Sequence, residues 1–193
     1  MFKINDETFE IEQAYIDVLL DYEEDESLVF GLIIECKRVD DNTLPFVETE
    51  TILKIKKNEI KKWQDIAGRV VEWEKCSKNT AKPYAKFINC YKKSFRSNFI
   101  YNAKIEFLDI DNKIFVKLKG LCNSKFNDKE TKTLSLEIKT EINLRWIQIG
   151  THETEELARN RLQPYLDTKN YKYVVSKLDL SNGSVDVGKF VIK

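Results

Sequence analysis

Apolar and polar residues alternate along much of this chain, and this period of two constrains the fold more than any other feature of the sequence. Within residues 11–20, the apolar face is formed by Ala14, Ile16, Val18 and Leu20. Within residues 28–36, it is formed by Leu28, Phe30, Leu32, Ile34 and Cys36. Such alternation is typical of β-strands with one buried face. The acidic stretch 21–27 between the two segments predicts that they form a hairpin.

Two short helices are predicted among the strands. Residues 58–68 carry apolar side chains at helical spacing, with Asn58 in position to cap the helix. Residues 151–162 follow the same pattern, with Thr151 as the cap and glutamates suited to the positive end of the helix dipole. The residues expected to end the two helices are Gly68 and Pro164. Further strands are predicted near residues 49–56, 69–75, 84–91, 103–109, 114–122, 174–175 and 188–191, the last two joined as a hairpin.

The second half of the chain repeats the pattern of the first. The apolar face at 28–36 is matched position for position by Ile114, Val116, Leu118, Gly120 and Cys122. The predicted fold is therefore α+β, mostly antiparallel β with two short helices, arranged as two βββαββ units at residues 1–95 and 96–193. The match requires Ile52 to be an extra residue, and the stretch 134–149 is longer than its counterpart. The alternative is one mostly antiparallel sandwich or barrel without internal symmetry.

The strand at residues 28–36 has an unusual outward face. Its outward positions are Val29, Gly31, Ile33 and Glu35. An apolar outward face predicts either a strand that is covered on both sides or a contact surface. We favour burial, because strands covered on both faces commonly read as continuous apolar runs.

Several chemistries are excluded or disfavoured. The cysteines are Cys36, Cys76, Cys90 and Cys122. Their spacing does not suit a zinc ribbon, and we interpret them as buried free thiols. His152 has no Ser or Cys nucleophile beside it in sequence, so we interpret it as solvated surface at a helix start. The common nucleotide and hydrolase motifs are absent, so we predict no catalytic residue, cofactor or metal. An enzyme would need carboxylates such as Glu106 or Glu137 to converge in a pocket with perturbed acidity.

The apolar runs are short, and the longest of them, at residues 28–34, is far below the roughly 18 residues that a membrane-spanning helix needs. The first residues carry acids where a secretory signal has a basic start and an apolar stretch. We therefore expect a cytoplasmic protein with no membrane partner. The bias towards Lys, Asn and Ile suggests an AT-rich genome, such as that of a bacterium or a phage.

Charge is balanced in total but segregated along the sequence. Residues 1–35 hold eleven acidic residues and one lysine, a local net charge of −10. Residues 51–100 hold thirteen basic and four acidic residues, a local net charge of +9. Exposed ion pairs stabilise a fold by less than about 1 kcal/mol each, so stability alone is a poor reason for this segregation. It favours a role in recognising a partner.

The acidic loop at residues 22–26 is the leading candidate site. It consists of Tyr22, Glu23, Glu24, Asp25 and Glu26. Four carboxylates beside an aromatic side chain suit docking on a basic protein, although a solvated hairpin tip has the same composition. The leading hypothesis is a non-enzymatic protein-binding protein that occludes a basic surface of its partner, as bacterial immunity proteins and other toxin antagonists do. That step is an analogy of surface type.

The alternative function is nucleic-acid binding by the basic and aromatic stretch at residues 82–101. Its candidate contact residues are Lys86, Tyr91, Lys92, Lys93 and Arg96. Such a mixture could neutralise phosphates and stack bases of a single strand. Two ordinary amphipathic strands would read the same way, and a net charge of zero is unlike most nucleic-acid-binding modules. The oligomeric state stays open.

Overall fold

The computed structural model of this chain describes the backbone of residues 1–21, 26–39, 44–74, 84–91, 94–126, 130–151, 153–180 and 183–193. It also describes their side chains, except those at positions 50, 84–98, 124–126, 130–132, 151 and 180. The strands are β1 (Phe2–Ile4), β2 (Glu7–Phe9), β3 (Ile11–Asp21), β4 (Ser27–Cys36), β5 (Leu44–Thr51), β6 (Leu53–Ile55), β7 (Val70–Trp73), β8 (Tyr84–Tyr91), β9 (Ser94–Ile110), β10 (Lys113–Phe126), β11 (Glu130–Glu141), β12 (Asn143–Thr151), β13 (Tyr171–Leu180) and β14 (Gly183–Ile192). A 3₁₀ turn at Trp63–Ile66 and the helix α1 at Glu155–Leu162 complete the described elements.

Antiparallel pairing holds the strands together, as the sequence predicted for the fold class. The strand pairs with a described register are antiparallel, among them β9 with β10 and β13 with β14. The residues divide into two compact units. Unit 1 comprises Met1–Tyr15, Gly31–Ile52 and Ala67–Asn143, and unit 2 comprises Ile16–Phe30, Leu53–Ile66 and Leu144–Lys193. These units are defined by spatial contacts, whereas the repeat of 1–95 and 96–193 is a likeness between two stretches of sequence, which stays a prediction.

Unit 1 contains a sheet in which the strands follow the order β5-β8-β9-β10-β11-β1-β2, with β7 paired to β9. One face of this sheet is buried by alternating apolar side chains on β9, β10, β11 and β1. Its fully buried members include Phe2, Ile105, Phe107, Val116, Leu118 and Ile138. The opposite face carries the intervening residues, which are mostly polar, are not buried and include the partly buried Leu108 and Phe115, so the period of two in the sequence is the period of burial in these strands.

Unit 2 contains the strand order β13-β14-β12-β3, and α1 belongs to the same unit. Its core is apolar, and the fully buried residues include Ile16, Leu28, Phe30, Ile147, Leu162 and Phe190. Strand β4 is buried at every position from Ser27 to Leu32, so its first half is covered on both faces, as expected. Farther along, Ile33 and Glu35 are only partly buried.

The first of the two predicted helices is not confirmed, because residues 58–68 contain only the single 3₁₀ turn. Asn58 does not cap a helix: its φ is 63°, and its N–H donates to the carbonyl of Pro164 at 2.8 Å. The carbonyl of Lys61 accepts from the N–H of Asp167 at 2.8 Å. The carbonyl of Lys61 is therefore not available to the N–H of Asp65, as an α-helix would require, and that N–H donates to the carbonyl of Lys62 at 3.0 Å instead. Gly68 does end the segment, with a φ of 83°.

The second predicted helix is present but begins later than expected. Thr154 is the N-cap, and its hydroxyl accepts from the N–H of Leu157 at 3.4 Å. Thr151 lies instead at the end of β12, opposite Val187 of β14. The helix ends at Leu162, as predicted from the nearby Pro164.

Candidate partner-binding surfaces

The acidic loop connects β3 to β4, and both of its ends are held by ion pairs. Tyr22, Glu23, Glu24 and Asp25 lie outside the described residues. Before them, the carboxylate of Asp21 lies 3.7 Å from the ammonium of Lys54. After them, Glu26 lies 2.5 Å from the ammonium of Lys57. The hydroxyl of Tyr165 also donates to the main-chain carbonyl of Glu26 at 2.7 Å, so two residues that are distant in sequence, Lys57 and Tyr165, hold the entry into β4.

The remaining acids of the first 35 residues are partly neutralised in space. Asp17 forms a bidentate ion pair with the guanidinium of Arg145, and the carboxylate of Glu10 lies 2.6 Å from the ammonium of Lys37. At least four of the eight acidic residues described in this segment therefore pair with bases. The charge segregation along the sequence is reduced by folding, because these strands place bases beside the acids.

One acidic patch persists in unit 1, at the start of β3 and the end of β4. Glu35 accepts a hydrogen bond from the amide of Gln13, and Glu10 pairs with Lys37. The hydrogen bond to Glu10 is the largest cause of the raised pKa of Lys37, with a smaller contribution from the charge of Glu12. Two carboxylates, those of Glu10 and Glu12, therefore act on the ammonium of Lys37, and the carboxylate of Glu35 lies against the amide of Gln13.

The candidate nucleic-acid contacts are only partly described. Lys86 lies on β8 opposite Phe99, Tyr91 lies opposite Ser94, and Arg96 lies opposite Asn89. The side chains of these three residues are outside the described set, as are Lys92, Lys93 and His152 altogether. Their register pairs β8 with β9 in antiparallel orientation, which agrees with the strand predicted near residues 84–91; that these strands are amphipathic stays a prediction.

A lattice of lysines and glutamates covers the outward face of unit 1, and sequence reasoning missed it. Cross-strand register aligns Glu72, Lys104, Lys119 and Glu137 across β7, β9, β10 and β11. The ammonium of Lys104 lies 3.4 Å from Glu72 and 2.9 Å from Glu106, and that of Lys119 lies 2.9 Å from Glu137. The signal was present in the alternation of charged residues, but it becomes readable only when the strand register is known.

This lattice bears on the enzyme hypothesis. The hydrogen bond from Lys104 is the largest cause of the lowered pKa of Glu106, and the hydrogen bond from Lys119 is the largest cause of the lowered pKa of Glu137. A general acid at neutral pH needs the opposite shift, produced by burial or by a neighbouring negative charge. These two carboxylates are members of ion pairs on a face of the sheet, and their pKa values are shifted away from the range that a general acid needs.

A concave region is described in each of the two units. The larger, in unit 2, has a volume of about 530 Å³ and lies between residues 58–61 and 159–169. The guanidinium of Arg159 lines it but is engaged by Glu155 and by the carbonyls of Thr168 and Tyr171. The smaller, of about 340 Å³ in unit 1, is lined by residues that include Lys119 and Glu137, which pair with each other.

The described cysteines agree with the interpretation as buried thiols. Cys36 and Cys122 are free and fully buried, and burial raises the pKa of each to about 12. Cys76 and the side chain of Cys90 are outside the described set. Within the described ranges, no three His, Cys, Asp or Glu side chains are grouped to hold a metal ion. None of the helices described is long and apolar enough to span a bilayer.

Comparisons with protein-family models, with curated proteins and with solved structures found no match for this chain. The function must therefore be argued from the surfaces themselves.

Proposed function

We propose that this chain is a non-enzymatic protein-binding protein whose acidic loop at residues 22–26 docks on a basic surface of another protein. In this proposal the chain acts in the cytoplasm as an antagonist of its partner, in the manner of a bacterial or phage immunity protein. The observation that carries the proposal is the way in which the loop is anchored. Asp21 and Glu26, at its two ends, pair with Lys54 and Lys57, and Tyr165 holds the carbonyl of Glu26.

Anchoring at both ends matters because ordering a loop on binding costs conformational entropy. The two anchoring carboxylates are already neutralised by lysines. The charges left to attract a partner are therefore those of Glu23, Glu24 and Asp25, with Tyr22 beside them as an aromatic anchor. Carboxylates clustered on a short loop attract a basic surface over roughly a Debye length, which raises the association rate at low salt.

The test is a charge reversal of the loop with a charge-matched control. The loop variant carries Glu23→Lys, Glu24→Lys and Asp25→Lys, and the control carries Asp6→Lys, Glu7→Lys and Glu156→Lys at exposed positions outside both acidic surfaces. Proteins captured from the native cell by each form are identified by mass spectrometry, and their dissociation constants are then measured by calorimetry with purified components.

We expect the loop variant to lose at least about tenfold in affinity, since several charged contacts become repulsive at once. The control should keep the partner within about threefold. Raising the salt concentration should weaken binding to the wild-type chain and have little effect on the loop variant. A partner that binds all three forms equally would contradict the proposal.

Nucleic-acid binding by the hairpin of β8 and β9 is the second candidate. The described lysines that follow on β9 and β10 all lie within 3.4 Å of a glutamate carboxylate; they are Lys104, Lys113, Lys117 and Lys119. A phosphate would have to displace those carboxylates, which disfavours this face as an extension of the site. Retention of single-stranded RNA or DNA at low salt, lost in a variant with Lys86→Ala, Lys92→Ala, Lys93→Ala and Arg96→Ala, would support this function in place of the first.

A further inference from the structure

Strand β13 forms an open edge in unit 2. It pairs with β14 along one side, and no other described strand pairs with its second side. The register with β14 is unbroken from the Tyr171–Ile192 pair to the Leu180–Gly183 pair, so the edge contains no bulge. It also contains no proline. Bulges and prolines are two devices that blunt long edges, since unpaired main-chain groups otherwise offer a template to another strand; charged side chains are a third, and this edge carries Lys177 and Asp179.

The hydrogen bonding identifies which main-chain groups point outward. The N–H of Tyr171 donates to the carbonyl of Thr168, and its own carbonyl accepts from Arg159, so both groups point away from β14. The N–H of Lys193, just after β14, donates to the carbonyl of Asn170. The main-chain groups of the even-numbered residues therefore point towards β14. Because direction alternates along a strand, the outward groups beyond Tyr171 are those of Tyr173, Val175, Lys177 and Asp179.

The side chains along this edge are suited to contact. Val175 is 46% exposed and Leu178 is 39% exposed, which is high for apolar residues in a regular strand. Lys177 and Asp179 are exposed on either side of Leu178. The sequence Lys177-Leu178-Asp179 is therefore self-complementary: a positive and a negative residue flank an apolar residue symmetrically.

We infer that β13 pairs in antiparallel orientation with β13 of a second copy of this chain, around a two-fold axis at Leu178. On this axis, Lys177 lies opposite Asp179 of the second copy, and Asp179 lies opposite its Lys177. The outward groups of both residues then form about four main-chain hydrogen bonds across the axis. Leu178 lies opposite Leu178 of the second copy in a non-hydrogen-bonded pair, in which the two side chains are close together. An interface of this kind uses one patch twice, as two-fold dimers do.

The charges select this register over its neighbours. Moving the axis to Ser176 would place Lys177 opposite Val175 and leave Asp179 without a basic partner. It would also keep main-chain groups correctly directed, so hydrogen bonding alone does not distinguish the two arrangements. Opposite charges directly across a strand pair are favourable, whereas like charges are destabilising. The overlap is short, so we expect a reversible dimer that weakens as salt is added.

A charge-swap experiment tests this pairing. Lys177→Asp and Asp179→Lys each create like charges across the axis in a homodimer, whereas an equimolar mixture of the two variants restores both opposite-charge pairs. Dissociation constants are measured by sedimentation velocity over a concentration series. We expect each variant alone to dimerise at least about tenfold more weakly than the wild-type chain, and the mixture to recover to within about threefold.

Recovery in the mixture also shows that both variants are folded. A wild-type chain that stays monomeric up to about millimolar concentration, or a mixture no stronger than either variant, would overturn the inference. The axis is checked by Leu178→Cys, which should form an intermolecular disulfide at position 178 on mild oxidation, mapped by mass spectrometry. Val175→Cys does not meet itself on this axis, so preferential crosslinking there would also overturn it.

Discussion

At the scale of single residues, Gly120 is a position where only a hydrogen atom fits. The register of β9 and β10 shifts beside it, and Asn102 takes a φ of 44° at the shift. A Cβ atom at Gly120 would lie 2.5 Å from Cγ2 of Ile100 and 3.0 Å from Cβ of Ala103. Ile100 and Ala103 are buried, so they have little room to move away.

We therefore expect Gly120→Ala to lower the free energy of unfolding by about 1–3 kcal/mol, as overpacking of a close-packed interior does. The measurement is urea denaturation followed by circular dichroism. The control is Lys119→Ala in the adjacent position, which removes an exposed ion pair and should cost less than about 1 kcal/mol. Equal effects of the two substitutions would contradict the packing argument.

The buried thiols give a second prediction at this scale. Burial raises the pKa of Cys36 and Cys122 to about 12, and the thiolate is the reactive form. Iodoacetamide at neutral pH should therefore leave both residues unmodified in the folded protein and alkylate both in denaturant. Peptide mapping by mass spectrometry distinguishes them from the other two cysteines. Rapid alkylation of either thiol under native conditions would show that its strand opens easily.

At the scale of elements, the hairpin of β9 and β10 depends on its turn. Asp111 and Asn112 both have positive φ, 54° and 62°, as a type I′ turn requires. The N–H of Asn112 donates to the side chain of Asp109 at 3.0 Å. Asn112→Ala should lower the free energy of unfolding by about 1 kcal/mol, whereas Asn112→Gly should be neutral or stabilising. Thermal melts of the two variants test this, and a lower melting temperature for the glycine variant would refute it.

The elements also show what could be predicted from the sequence. Strands were found wherever apolar residues alternated, because the same alternation is buried against the core at Ile16, Val18 and Leu20. The prediction of a helix at residues 58–68 failed because helical spacing cannot reveal that the main chain of Asn58 and Lys61 forms hydrogen bonds with residues 164 and 167. Long-range hydrogen bonds of this kind override local preference.

The candidate site was predictable only as a segment. The loop composition identified residues 22–26, but the partners of its flanking carboxylates are distant in sequence. Lys57 is 31 residues from Glu26, and Tyr165 is 139 residues from it. Arg145 and Asp17 are 128 residues apart. Pairs at such separation depend on strand order and register, neither of which can be read from one sequence.

At the scale of the whole molecule, a chain with 32 basic and 32 acidic residues places many of them in pairs across strands. Exposed pairs contribute little individually, but they set how stability changes with pH. Lys37, Lys57 and Lys104 have raised pKa values, chiefly because their ammonium groups donate hydrogen bonds to the carboxylates of Glu10, Glu26 and Glu106 respectively. A lysine whose pKa is higher in the folded state than in the unfolded state contributes to the free energy of unfolding. That contribution is complete at a pH below the unfolded pKa and is lost as the pH rises through the folded pKa.

Glu106 and Glu137 act in the opposite direction. Their folded pKa values lie below the unfolded value of 4.5, chiefly because Lys104 and Lys119 donate to them. Their contribution to stability is therefore present above the unfolded pKa and is lost as the pH falls through the folded pKa. The loss reflects proton uptake by the unfolded chain at a pH where the folded ion pairs still exclude the proton.

The stability of the double variant with Glu106→Gln and Glu137→Gln should consequently change less with pH than that of the wild-type chain between about pH 5 and about pH 3. Urea midpoints measured across that range give the slopes. The control, Asp6→Asn with Glu156→Gln, replaces two exposed carboxylates that form no ion pair with another described residue. The slope of its urea midpoint against pH should match that of the wild-type chain. Salt at about 1 M should reduce the difference, because it screens exposed pairs. If the urea midpoints of all three proteins changed with pH in parallel, the lysine–glutamate pairs on this face would not determine stability in acid.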